Sequence, residues 1–130
     1  MPVLYDRDCG FCRFTMGLLV TWDRRRWLRP VEIQSEEGQR LLVKLAPLER
    51  LASAHAVDRD GRLHSGAVAA APVLRRLPAG APLARVAERF PSATKRAYGA
   101  VVAHRSALGR LVPGRAKRWA DRLLAERKAG

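Results

Sequence analysis

The chain is short of cysteine, of aromatic side chains and, in its second half, of acidic ones. Only 2 cysteines occur, which excludes a scaffold stapled by several disulfides. No apolar run approaches the ~20 residues that a membrane-crossing helix needs. The first residues, Met1-Pro2-Val3-Leu4-Tyr5-Asp6, lack a basic segment followed by an apolar one. No secretory signal is read there, and a cytoplasmic location is expected. No internal repeat or low-complexity stretch interrupts the chain. What is present is 130 residues, 48% of them hydrophobic. That length suits one compact domain able to bury a core without metal or disulfide support.

Charge is unevenly spread. Residues 1–61 hold 10 basic and 9 acidic groups, whereas residues 62–130 hold 15 basic and only 3 acidic ones. A second half this cationic invites an acidic partner or nucleic acid, and a non-catalytic basic binding module is one reading of the chain. Arg75, Arg76, Arg85, Arg89, Lys95, Arg96, Arg115, Lys117 and Arg118 would supply its phosphate contacts. Against it, Phe90, Tyr98 and Trp119 are the tail's only aromatics, and no nucleic-acid-binding motif accompanies them. The bland alternative is a solvated basic helical face, favoured by the preponderance of Arg, 21 against 4 Lys. A membrane-surface reading of the tail rests on Trp119, Leu123 and Leu124, which packing on the core explains better.

Val3-Leu4-Tyr5 reads as a short strand. A helix follows from Phe11, with Phe11, Phe14, Thr15, Leu18 and Trp22 on one face, ending near Asp23-Arg24-Arg25-Arg26. Residues 27–34 read as a second strand, which Pro30 limits to an edge or a strand start. Ser35-Glu36-Glu37 starts a helix with Leu41, Leu42 and Leu45 as its buried stripe, and Pro47 to Leu51 forms a helical turn. Residues 53–58 and 62–65 flank Asp58-Arg59-Asp60-Gly61, a hairpin signal. Ala67 to Leu77 is helical in composition, with Pro72 at a start or a kink. Helices are then expected near 82–90, 92–109 and 114–127. The order β-α-β-α, hairpin, helix and helical tail implies an α/β domain with a parallel strand pair.

One motif carries chemistry. Cys9-Gly10-Phe11-Cys12 lies where the first strand gives way to the first helix. A Cys at a helix N-terminus meets unpaired backbone N–H groups and the positive end of the helix dipole, and both favour a thiolate. Three residues on, Cys12 can reach Cys9 and resolve a mixed disulfide. Arg7 and Arg13 would lower the Cys9 pKa, while Asp6 and Asp8 would raise it. Asp6 reads either as the polar end of a strand or as a proton carrier for the thiols. Zinc needs four ligands. Only His55 and His64, on the two arms of the hairpin, are available to join the cysteines, and their register is open. His104, on a basic helix, reads as a surface residue.

Tyr5-Asp6-Arg7-Asp8-Cys9-Gly10-Phe11-Cys12 resembles the signature of the DCC family (DUF393) of predicted thiol-disulfide oxidoreductases, with Asp6, Cys9 and Cys12 in its D-x-x-C-x-x-C pattern. Val57-Asp58-Arg59-Asp60-Gly61-Arg62, then Gly66-Ala67 and Ala70, is similar to the family's second segment, and Tyr98, Val102, Arg105 and Leu111 suit its C-terminal region. The resemblance implies a thioredoxin-like fold: β-α-β, then a β-hairpin and helix, as a core over 1–80. A basic helical extension over 81–130 would pack on the same single domain. It implies Cys9 as nucleophile, Cys12 as resolving thiol, Asp6 in proton transfer and Phe11 shielding the pair. Neither a bound organic cofactor nor a metal is implied. The implied partners are a thiol or disulfide substrate and an external electron donor; the charge of the basic half separately invites an acidic partner. Arg7 stands where the commonest family form has Gly. Ser53-Ala54, and no Pro, precede the third core strand, so substrate handling is expected to differ from that of thioredoxin.

Overall fold

The computed structural model describes residues 1–129. Four strands form one sheet in the order β2-β1-β3-β4. They are β1 (Pro2–Tyr5), β2 (Arg29–Glu32), β3 (His55–Val57) and β4 (Leu63–Ser65). β1 pairs with β2 in parallel and with β3 antiparallel, and β3 and β4 form an antiparallel hairpin. The helices are α1 (Gly10–Trp22), α2 (Glu36–Leu41), α3 (Pro47–Ala52), α4 (Ala70–Arg76), α5 (Ala81–Arg89), α6 (Pro91–Ala103), α7 (Arg105–Leu111) and α8 (Gly114–Ala129). A 3-10 turn, Gly66–Ala69, leads into α4. Pro72 falls in the first turn of α4, where its missing N–H costs no helical bond. This mixed α/β arrangement is consistent with a thioredoxin-like fold.

β1 is the hinge of the packing. Its side chains alternate, so Val3 and Tyr5 face one layer and Leu4 the other. Val3 and Tyr5 join Met16, Val20, Leu28, Ala56, Val73, Leu77 and Leu124. Leu4 joins Val31, Ile33 and Leu42, with Leu41 and Leu45 packed beside them. Each fully buried Leu or Ile here stabilises the fold by roughly 1.5–3 kcal/mol. Ser35 caps α2, its Oγ accepting from Gly38 N at 3.0 Å, with Glu36 and Glu37 in the first turn.

Three expected elements differ. The second strand is shorter than 27–34. Trp27 N and Leu28 N donate to the Asp23 carboxylate at 3.1 and 2.7 Å, so this segment closes the end of α1 instead of joining the sheet. The buried face of α1 is Met16, Gly17 and Val20, whereas Leu18 is 48% exposed. The reason is α8: a Cβ on Gly17 would meet the Ala120 Cβ at 2.7 Å, so the two helices touch through small residues. α1 is apolar nearly all round, and periodicity alone does not select the face that α8 takes. The expected helix 92–109 is two helices broken at His104, whose N–H and ring Nδ1 both engage the end of α6 at Ala100 O, at 3.2 and 2.8 Å.

α8 is tied down at its far end. Arg127 donates to Asp23 Oδ2 at 2.8 Å and to the carbonyls of Leu28, Val20 and Asp23. Trp119 packs against Phe14 at 6.3 Å between ring centroids, and Leu123 and Leu124 lie in or against the core. No described helix is long and apolar enough to cross a membrane.

Candidate functional site

β1 ends at Tyr5, and a tight turn delivers Cys9 to the N-cap of α1. In that turn Cys9 N donates to Asp6 O at 3.2 Å, and Asp8 N to Asp6 Oδ1 at 2.9 Å. The turn thus sets the Asp6 carboxylate and the Cys9 thiol on one loop. Cys9 Sγ accepts from the Cys12 backbone N–H at 3.2 Å and from the Cys12 thiol at 2.6 Å. Both cysteines are free thiols and half-buried. The Cys12 thiol is pushed up to about 12, first by burial, then by its hydrogen bond to Cys9 and the nearby Cys9 charge; Arg105 acts the other way.

The two thiols open to different spaces. Cys12 lines an apolar cavity of about 300 Å³ with Phe11, Met16, Leu19, Val73, Tyr98 and Val102. This lining is what desolvates it. Cys9 lines a polar cleft of about 320 Å³ with Asp8, Gly10, Gly109, Arg110 and Lys117. Asp6 and Arg105 line both spaces. Arg105 Nη2 is 3.8 Å from Asp6 Oδ2 and donates to Leu51 O at 3.0 Å. Gln34 Nε2 donates to Asp6 Oδ1 at 2.7 Å. No local motif marks Gln34 as a site residue. The signal was the parallel pairing of Tyr5 with Glu32, which carries the residues just beyond both strands to the same edge of the sheet.

The cations expected near Cys9 are engaged elsewhere. Arg7 pairs with Glu32 at 3.3 Å, and Arg13 donates to Asp121 at 3.0 Å and to Arg7 O at 2.8 Å. The cleft draws its positive charge from the tail instead, through Arg105, Arg110 and Lys117.

The histidines do not complete a metal site with the cysteines. His55 pairs with Ser65 and His64 with Ala56 across the hairpin, so the two imidazoles project from opposite faces. His55 is buried between Ser65 Oγ at 2.7 Å and Arg50 O at 2.8 Å, and burial lowers its pKa. His64 bonds Asp58 Oδ2 at 2.8 Å, which holds the hairpin turn. Among the described residues no group of three or more His, Cys, Asp and Glu side chains is placed to hold a metal ion. His104 is exposed.

Two free thiols three residues apart, their sulfurs 2.6 Å from each other and one of them at a helix start, are an arrangement that can pass between dithiol and disulfide. A family model described as DCC1-like thiol-disulfide oxidoreductase matches residues 3–111. The chain belongs to that family. No curated protein and no solved structure matches it.

Proposed function

We propose that the chain is a thiol-disulfide oxidoreductase in which Cys9 is the nucleophile, Cys12 the resolving thiol and Asp6 the proton acceptor. One observation carries this reading. Cys9 Sγ, at the N-cap of α1, is the acceptor of both the Cys12 N–H and the Cys12 thiol. Negative charge on that sulfur is met by two donors and by the positive end of the helix.

Cys9 Sγ attacks one sulfur of a substrate R–S–S–R. The substrate S–S bond breaks, a Cys9–S–S–R bond forms, and RS⁻ leaves with the electron pair. Cys12 then gives its proton to Asp6 and attacks the Cys9 sulfur. The Cys9–Cys12 bond closes as the second RS⁻ departs. Two electrons have passed from the dithiol to the substrate. A low-molecular-weight thiol or dithiol returns the pair to its reduced state, and no bound organic cofactor is needed.

The test is a redox titration of the purified protein across glutathione buffers, read by thiol labelling and mass spectrometry. The expected result is a reversible intramolecular Cys9–Cys12 disulfide with a definite potential. Failure to form it at any buffer ratio, or a metal ion bound by the two thiols, overturns the reading.

A further inference from the structure

Three cations from the C-terminal region stand around the cleft onto which Cys9 opens: Arg105, Arg110 and Lys117. The placement of Lys117 is electrostatically awkward. Lys117 lies against the first residue of α1, where a Cβ on Gly10 would sit 2.9 Å from its Cε and 3.2 Å from its Nζ. That is the positive end of the helix, where a cation is disfavoured and an anion favoured. Among the described residues neither Arg110 nor Lys117 forms an ion pair. Asp121, the acidic group of α8 nearest in sequence to Lys117, is taken by Arg13 at 3.0 Å. Asp6 and Asp8 are the cleft's acidic groups, and Asp6 already accepts from Gln34 and Asp8 N.

On the Cys12 side, one backbone donor that a polypeptide substrate would use is already engaged. Ala54, just before β3, has its N–H donated to Tyr98 Oη at 2.9 Å, and its carbonyl accepts from Gly66 N at 2.9 Å. The one N–H donor of Ala54 is therefore not free to hold an extended peptide beside Cys12.

We propose that the substrate of the Cys9–Cys12 pair is a small carboxylate-bearing disulfide, whose negative groups are received by Arg110 and Lys117 while Cys9 attacks its sulfur. This rests on the redox reading above and names its substrate class. The exchange is the one written there, with the anionic disulfide as oxidant and the dithiol as reductant. Lys117 lies outside the family-matched residues 3–111, so this charge comes from the chain's own last helix.

The test compares three disulfides on the full chain: oxidised glutathione (anionic), bis(2-hydroxyethyl) disulfide (neutral) and cystamine (cationic). The readout is the rate of Cys9–Cys12 disulfide formation. Oxidised glutathione is expected to react fastest, and its advantage over the neutral disulfide to shrink as salt rises. In Lys117→Glu and Arg110→Glu the ratio of the two rates should fall about tenfold. Arg85→Glu, an exposed charge reversal on α5 outside the cleft, should leave that ratio unchanged. An equal fall in Arg85→Glu would assign the effect to net charge and overturn the proposal, as would an unchanged ratio in the two cleft variants. If no disulfide oxidises the pair at all, the redox reading itself fails, and this one with it.

Discussion

Arg105 Nη2 lies 3.8 Å from Asp6 Oδ2, where the apolar cavity behind Cys12 meets the polar cleft in front of Cys9. Gln34 and Asp8 N hold the other carboxylate oxygen at 2.7 and 2.9 Å. One acidic group is thus fixed at the boundary between the two thiol environments, with a guanidinium as its counter-charge.

Asp6→Asn preserves shape and removes the proposed proton acceptor. The mixed disulfide on Cys9 should then persist at least about tenfold longer, because Cys12 resolves it without a base. Acid-quenched mass spectrometry of the single-turnover reaction measures that lifetime. An unchanged lifetime would remove Asp6 from the mechanism.

Burial and the bond to Cys9 raise the Cys12 pKa from 9.0 to about 12. At pH 8 such a thiol is only about one part in 10⁴ thiolate, and thiolate is the form that alkylates. Iodoacetamide at pH 8 should therefore modify Cys9 first, with Cys12 labelling accelerating towards pH 12. The sign for stability follows. The folded state favours the neutral thiol, so this contribution is complete below pH 9 and is lost as pH rises towards 12. Peptide mapping of partly alkylated protein checks the order, and prior labelling of Cys12 would contradict it.

Arg127 is the sole side chain paired with the buried carboxylate of Asp23 among the described residues. Arg127→Met leaves that charge without its counter-ion and removes three carbonyl contacts. The expected loss is roughly 3–5 kcal/mol in a urea titration. Adding Asp23→Asn should recover part of it. A loss below about 1 kcal/mol would mean that the pair contributes as little as a surface ion pair.

Not one residue of α6 is buried, and its Tyr98 hydroxyl accepts the Ala54 N–H at 2.9 Å. Tyr98→Phe leaves that half-buried donor without a partner, at a cost of about 1–3 kcal/mol. Amide exchange should rise in α6 and at Ala54 before it rises in β1. Unchanged amide protection of α6 and Ala54 in Tyr98→Phe would show that α6 is held by other contacts.

The features legible in the sequence are local. Ser35 followed by two glutamates predicts the cap of α2, and Asp58 through Gly61 predicts the hairpin. A cysteine between the end of a strand and the first helical phenylalanine predicts an N-cap thiol. What escaped depends on partners distant in the chain. The buried face of α1 is chosen by Ala120 meeting Gly17. The short second strand follows from Asp23 turning its carboxylate onto Trp27 and Leu28. The neighbours of Cys9 were expected to be Arg7 and Arg13, which the fold pairs with Glu32 and Asp121. The cations that line its cleft arrive from α7 and α8, and no spacing rule links them to the motif. The His55–His64 relationship needed the hairpin register, which places the two rings on opposite faces.

The central claim is that Cys9 attacks and Cys12 resolves. Its most direct measurement is mass spectrometry of Cys12→Ser and Cys9→Ser incubated separately with oxidised glutathione. The account predicts that Cys12→Ser accumulates a stable glutathione adduct on Cys9, while Cys9→Ser gains none and loses all turnover in a disulfide-reduction assay. An adduct on Cys12 in Cys9→Ser, or full activity in that variant, would contradict it.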